Sequence, residues 1–184
     1  MNIPDDSDET IARLVQQGNK EAFGTLLNRY ETKLWRYASK FTQNNEDAKD
    51  LVQDVFIKAY TNLQSFDSSR RFSPWIYRIA HNECINAIKK KGREPLGFFD
   101  PDLLFPHPLA KEGADDLTKR REIRDVLDNA LGQINTKYRE PLVLYYFEEF
   151  EYQEIGDILH IPISTVGVRL KRGRELLKKI IPSR

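Results

Sequence analysis

His81 and Cys84 stand three residues apart in this 184-residue chain, a spacing that on a helix brings an imidazole beside a thiol, the minimum for a base-activated nucleophile. Nothing else in the sequence supports such chemistry: there is no third group to orient the imidazole, no carboxylate pair set for acid–base work, no metal-ligand cluster and no Gly-rich phosphate loop. Cys84 therefore reads as a structural thiol beside a functional edge. As the single cysteine it can form neither an internal disulfide nor a CxxC knuckle, which excludes redox chemistry and structural zinc. A small helical enzyme is the weakest reading, and binding chemistry takes its place.

The binding signal is charge. Between residues 70 and 93 seven basic residues (Arg70, Arg71, Arg78, Lys89, Lys90, Lys91 and Arg93) face Glu83 alone, a net of six positive charges. Between residues 169 and 184 the same balance recurs, with Arg169, Lys171, Arg172, Arg174, Lys178, Lys179 and Arg184 against Glu175. The whole-chain charge of +1 hides both, because acid elsewhere offsets them: at Asp5, Asp6, Asp8 and Glu9, in the middle of the chain, and at Glu148, Glu149, Glu151, Glu154 and Asp157. Phosphate binding needs such local positive surface. A charge run can equally be a solvated face, so its placement on an element has to decide.

Around the first basic segment the aromatics Phe66, Phe72, Trp75 and Tyr77 gather beside Arg70 and Arg71, the pairing that an unstacked, single-stranded base requires. A helix here lines up Trp75, Arg78, Asn82, Asn86 and Lys89 in one stripe, with Ile76, Ile79, Ala80 and Ala87 toward a core. The competing reading is that Trp and Tyr are core residues with polar atoms at the rim.

The elements that must hold these residues are helices; strand patterns are nearly absent. Asn19 can cap a helix through about residue 40, Asn44 or Asn45 another through about 62, and Ser73, with Pro74 at the first helical position, a third through about 91. Gly18 and Gly92 read as helix stops. Residues 117–131, 137–149, 152–160 and 164–180 read as four further helices. In the second of these helices, over Asp47 to Tyr60, Ala48, Leu51, Val52, Val55 and Ala59 share the buried face, while Ile57 points away between Asp50 and Gln53 with Phe56 at the edge. That apolar pair suits either a partner surface or a second core contact.

The last two helices are joined by His160-Ile161-Pro162-Ile163, too short for anything but a tight turn, and this predicts a helix-turn-helix. Val166, Leu170, Gly173, Leu177 and Ile180 form one face of the final helix, and Ser164, Val168, Lys171, Arg172, Glu175 and Lys179 the other. Gly156 and Gly173 are expected on facing apolar sides, where a close helix crossing offsets the roughly 1 kcal/mol cost of helical glycine. In the major groove, Ser164, Thr165, Gly167 and Val168 would lie nearest the bases, flanked by Arg169, Lys171 and Arg172. The alternative is an ordinary helix pair with a basic solvent face.

Length allows at most two small domains, and 40% apolar with 31% charged residues and a mean hydropathy of −0.61 fit a soluble globular chain. No apolar run approaches the roughly 20 residues a bilayer demands, and the acidic N-terminus is opposite to a secretory leader, so a cytoplasmic location is expected. Pro95, Pro101, Pro106 and Pro108 break both periodicities. The expected fold is all-α: two small helical domains, 1–92 and 117–184, joined by a Pro-rich linker over 93–116, with the helix-turn-helix in the second. Phe98, Phe99, Leu103, Leu104 and Phe105 make that linker too apolar for a plain spacer; either something receives it or it packs back on a domain.

Three ordered segments carry a family resemblance across nearly the whole chain. Asp47 to Tyr60 (DAKDLVQDVFIKAY) resembles the core-binding segment of bacterial sigma factors of the extracytoplasmic-function type. Phe72 to Asn82 (FSPWIYRIAHN) is similar to their promoter-melting and minus-ten segment. Tyr138 to Tyr146 (YREPLVLYY), Tyr152 to Gly156 (YQEIG) and Ile161 through Arg174 look like their minus-thirty-five-reading domain.

The resemblance implies an alternative sigma factor with no catalytic activity and no cofactor, in which Asp50, Leu51, Gln53, Asp54, Phe56 and Ile57 face a coiled coil of the largest RNA polymerase subunit and the flap of the second-largest is a further contact. It implies a flipped base held by the loop from Ser65 to Ser73, with Arg70, Arg71, Phe72, Trp75, Tyr77, Arg78, Asn82 and Lys89 as minus-ten residues. Ser164, Thr165, Gly167, Val168, Arg169, Lys171 and Arg172 become the minus-thirty-five set, and the linker threads toward the polymerase cleft. Promoter DNA, core polymerase and an anti-sigma protein are the implied partners of a free monomer without membrane insertion. Pro74, Gly167, Val168 and Glu151 depart from the family pattern; Pro74 bears on minus-ten geometry, Gly167 and Val168 on the minus-thirty-five sequence, while Glu151 can serve as a charged helix cap. The rival reading is a two-domain regulator that binds duplex DNA without replacing sigma.

Overall fold

The computed structural model describes residues 6–42, 44–90 and 130–181. The expected linker over 93–116 and all but the last residues of the helix expected over 117–131 lie outside them, as do Lys91, Gly92, Arg93 and Arg184. The chain divides into two compact units, Met1–Pro95 and Leu96–Arg184. Among the described residues every regular element is a helix.

The first unit holds α1 (Asp8–Gln16), α2 (Phe23–Ser39), α3 (Asn45–Asn62) and α4 (Phe72–Lys90), with single 3-10 turns at Lys20–Ala22 and Leu63–Ser65. The sequence reading passed over α1, although Ser7 caps it and Gly18 stops it. Gly18 sits at φ 103°, where its amide bonds to the Val15 carbonyl and that of Asn19 to Leu14, a Schellman ending that glycine accepts without a Cβ clash. Asn19 caps the short turn ahead of α2, and the Asn44 side chain accepts from the Asp47 amide at 2.8 Å to start α3.

The third expected start is corrected. Helix α4 begins at Phe72, so Ser73 is no cap and Pro74 lies at the third helical position, where its missing N–H still costs no helical bond. The Phe72 amide is capped instead by Glu9 Oε1 from α1 at 2.9 Å. Helix α2 packs on α3, α3 on α4 and α1 on α2, around Leu26, Leu34, Tyr37, Val52, Val55, Ile76 and Ala80. Each large apolar side chain removed from water contributes about 1.5–3 kcal/mol. Cys84 lies in this interior, 1% exposed.

In the second unit residues 130–132 are helical and lead to α5 (Thr136–Tyr146), α6 (Tyr152–Leu159) and α7 (Ile163–Ile180). Asn135 caps α5, and a capping box joins Glu151 to Glu154, whose Oε2 accepts from the Glu151 amide at 3.0 Å. His160 ends α6 in the left-handed region at φ 53° and turns the chain into α7. Val166, Leu170 and Gly173 are buried, as the helical wheel requires, and Leu177 and Ile180 half-buried. The two glycines do not face each other. A Cβ on Gly156 would lie 3.0 Å from the Ile161 carbonyl oxygen, whereas one on Gly173 would lie 2.8 Å from Leu142 Cδ1 and 3.1 Å from the Tyr138 carbonyl oxygen of α5. Gly156 thus admits the turn, and Gly173 admits α5.

Candidate nucleic-acid interface

In the first unit the loop after α3 reverses the chain on Asp67, whose Oδ1 accepts from the Ser69 amide at 3.0 Å and the Ser69 hydroxyl at 2.7 Å. These hydrogen bonds, with the Arg70 charge close by, hold the Asp67 carboxyl below its ordinary value. Arg70 and Arg71 stand exposed at the loop tip. At the two ends of this loop three rings pack edge-on or tilted against one another: Phe66 lies 5.4 Å from Phe72 and 5.1 Å from Trp75, and Phe72 lies 5.4 Å from Trp75.

Only one of those rings reaches a surface. Trp75 is half-buried and, with Arg78 and Asn82 from α4, lines a pocket of about 300 Å³ that Lys58, Asn62 and Ser65 complete from the α3 side. Glu83 closes it, pairing across the helices with Lys58 Nζ at 2.6 Å. Arg78, Asn82 and Lys89 are exposed along the expected stripe. Phe72 and Tyr77, expected to contact DNA, are 0% and 1% exposed and have no face to offer a base. They fall on the core side of α4 with Ile76 and Ala80; Phe72 packs against Trp75 from within the core, and Tyr77 stands edge-on to Tyr37 with ring centres 5.3 Å apart. Ser65 is the first residue of the loop expected to hold the base, whereas sequence reasoning missed Lys58 and Asn62, because α3 was read for its core face and for Ile57 alone.

In the second unit Ser164, Lys171 and Arg172 are exposed on α7, and Gly167, Val168 and Arg169 half-buried. Thr165 is corrected to a core position at 3% exposure, since it and Val166 form the first turn of α7 on its packed side. A Cβ on Gly167 would meet only Tyr152 Cε2, at an ordinary 3.7 Å, so folding does not demand glycine there. Beside it lies a group the sequence reading left out: Tyr145 packs on Tyr146 at 4.8 Å and on Tyr152 at 5.3 Å, and Arg174 Nη1 donates to the Tyr146 hydroxyl at 3.3 Å. That hydrogen bond raises the Arg174 guanidinium, and burial raises the Tyr152 phenol. The available signal was the seven-residue step from Gly167 to Arg174, which places both on one stripe.

On α3 the side chains of Asp50, Gln53, Asp54 and Ile57 are exposed, Ile57 by 54%. Leu51 and Phe56 are corrected to core positions at 6% and 7%, Phe56 standing edge-on to Phe23 with ring centres 6.4 Å apart. A groove of about 870 Å³ runs beside Ile57 between α2 and α3, lined by Phe23, Leu27, Trp35, Phe56 and Tyr60. Trp35 Nε1 is buried there without a hydrogen-bond partner. No single helix carries this groove, which is why periodicity did not show it.

Comparison with known proteins agrees with the geometry of both units. Residues 26–94 match the family described as Sigma-70 region 2, and residues 124–177 match Sigma-70, region 4. The chain is 35% identical to the ECF RNA polymerase sigma factor SigW of Bacillus subtilis, over 90% of this chain and 91% of that one. It is 30% identical to the ECF RNA polymerase sigma-E factor of Escherichia coli, over 93% and 92%. Among solved structures, CnrH in complex with the cytosolic domain of CnrY aligns with a TM-score of 0.71 at 26% identity, covering 95% of this chain and 97% of that one. The sigma factor RpoE in complex with the anti-sigma factor NepR from Bartonella quintana aligns at 0.64 and 26%, covering 86% and 95%.

Proposed function

Since the chain belongs to the extracytoplasmic-function branch of the sigma-70 family and is an alternative sigma factor directing transcription initiation, we propose how its surfaces divide that task. The α3–α4 pocket receives a base extruded from the minus-ten element. Trp75 supplies the stacking face, Arg78 and Asn82 the polar contacts, and Arg70, Arg71 and Lys89 hold the strand. Extrusion costs a few kcal/mol, and stacking on an aromatic returns about 1–3 kcal/mol per base, so one stacked base needs the cationic contacts to close the balance. The observation that carries this reading is the pocket itself: a half-buried tryptophan with exposed arginine and asparagine beside it, and Ser65, where the loop that carries Arg70 and Arg71 begins, in its wall.

Helix α7 reads the minus-thirty-five element through Ser164, Gly167, Val168, Lys171 and Arg172, with Arg169 at the edge. Asp50, Gln53, Asp54 and Ile57 take a helical coiled coil of the largest polymerase subunit, beside the apolar α2–α3 groove, and the flap of the second-largest subunit contacts the second unit. Residues 1–92 and 117–184 act as separate modules on a tether over 93–116. An anti-sigma protein is a further partner, in keeping with the NepR complex of the related RpoE. The chemistry is the polymerase's, so the protein contributes no catalytic group, and it works in the cytoplasm; among the described residues no helix is long and apolar enough to cross a membrane.

Reconstitution with core polymerase tests the proposal. Promoter-dependent run-off transcripts and permanganate-reactive thymines that appear only with core enzyme are expected. Tight promoter binding without core, and no thymine reactivity with it, would instead establish a duplex-binding regulator.

A further inference from the structure

We propose that α1 is a brace that holds the minus-ten loop in its base-accepting form, with Gln16 and Glu9 as positioning residues that never touch DNA. The inference rests on the reading of the α3–α4 pocket as the seat of the extruded base. Helix α1 is itself fixed: Ile11, Ala12 and Val15 are buried, and Asp8 binds α2 twice, to Arg29 Nη1 and to the Tyr30 hydroxyl, both at 2.5 Å. Burial and that carboxylate push the Tyr30 phenol well above its ordinary range, so it stays a donor.

A second stripe of α1, four and three residues apart, faces the loop. Gln16 Nε2 donates to two carbonyls at once, those of Leu63 and Phe66, each at 2.8 Å. Gln64 Nε2 returns a bond to the Gln16 carbonyl at 3.3 Å. Arg13 Nε reaches the Ser68 hydroxyl at 3.4 Å, and Glu9 caps Phe72. Both ends of the 66–72 segment are therefore tied to one helix, 50 and 63 residues away in sequence. The ties bracket the pocket: Ser65 lies between the two carbonyls held by Gln16, and Trp75 sits one turn past the amide held by Glu9. The ring of Phe66, whose carbonyl Gln16 grips, lies against Trp75. Ordering a loop before its ligand arrives removes that cost from binding, so the brace should act on melting rather than on polymerase affinity.

The test uses full-length protein in holoenzyme. Gln16→Glu keeps the shape of the side chain and removes both donors. Expected are a tenfold or greater slowing of duplex promoter opening, read by permanganate reactivity and by fluorescence of 2-aminopurine placed in the minus-ten strand, with core affinity unchanged and a smaller loss on a pre-melted bubble template. A merely structural role would lower core affinity and both templates together. Arg78→Ala is the control for the pocket: if it opens duplex normally, the pocket reading fails. If Arg78→Ala is defective while Gln16→Glu opens promoters at the wild-type rate, the brace alone is refuted. Should Gln16→Glu not fold, Glu9→Ala, which removes only the cap, takes its place, and an unchanged opening rate refutes the brace there too.

Discussion

Two glycines on α7 should answer the same substitution differently, one with a gain in stability and the other with none or a loss. Gly167→Ala places its new methyl 3.7 Å from Tyr152 Cε2, an ordinary contact, and replaces a helical glycine by the best helix former. The gain is about 1 kcal/mol. Gly173→Ala collects the same propensity gain but drives its methyl to 2.8 Å from Leu142 Cδ1, 3.1 Å from Leu142 Cγ and 3.1 Å from the Tyr138 carbonyl oxygen. Leu142 is 1% exposed and has nowhere to go, and the carbonyl belongs to α5, which would have to move as a whole. Overpacking of this kind costs about 1–3 kcal/mol, so the net runs from about zero to a loss of about 2 kcal/mol. The two variants should differ by about 1–3 kcal/mol. Hydrogen exchange of the α6 and α7 amides in the full-length protein reports this unit without interference from the other; about 1 kcal/mol is roughly a fivefold change in protection. Equal stabilisation by both substitutions would refute the assignment of Gly173 to the α5 contact and of Gly167 to the surface.

Ile57→Asp, at a site more than half exposed, should change stability by no more than about 0.5 kcal/mol while lowering core polymerase affinity at least tenfold, measured by pull-down and by fluorescence anisotropy. His160→Gly should stabilise the second unit by about 1 kcal/mol, because the left-handed backbone at φ 53° costs a side-chain-bearing residue about 1–2 kcal/mol that glycine does not incur; a thermal melt of the full chain checks it. The Asp67 carboxyl is depressed in the folded loop, so its contribution to loop order is present above the unfolded carboxylate value and lost as pH falls through the lower folded one. The Ser69 amide should lose exchange protection on acidification, and in Asp67→Asn that protection should not vary with pH.

How far the chain could be read varies residue by residue. Asn44 and Gly18 announce a helix start and stop because capping is settled by the side chain and a few neighbouring amides. Ile57 was found outside the core because seven residues of one helix place it opposite Val52 and Val55. The α4 stripe holds for the same reason, since Trp75, Arg78, Asn82, Asn86 and Lys89 all reach the surface, while Phe72 and Tyr77 were assigned by their aromatic character to a face they do not occupy. Helix α1 was passed over because its acidic residues were counted as charge rather than as caps and ties.

The sequence by itself determined the all-helical class, the turn between α6 and α7, the two basic segments and the family, since each is written in near-neighbour terms or in ordered motifs. Tertiary structure alone decided which aromatic reaches the surface and which stays in the core, that Gly173 admits α5, that α2 and α3 enclose a groove, and that Glu9 and Gln16 hold a loop some fifty residues or more further along. Burial and long-range hydrogen bonding depend on what a distant helix lays over a face, and no local period records that.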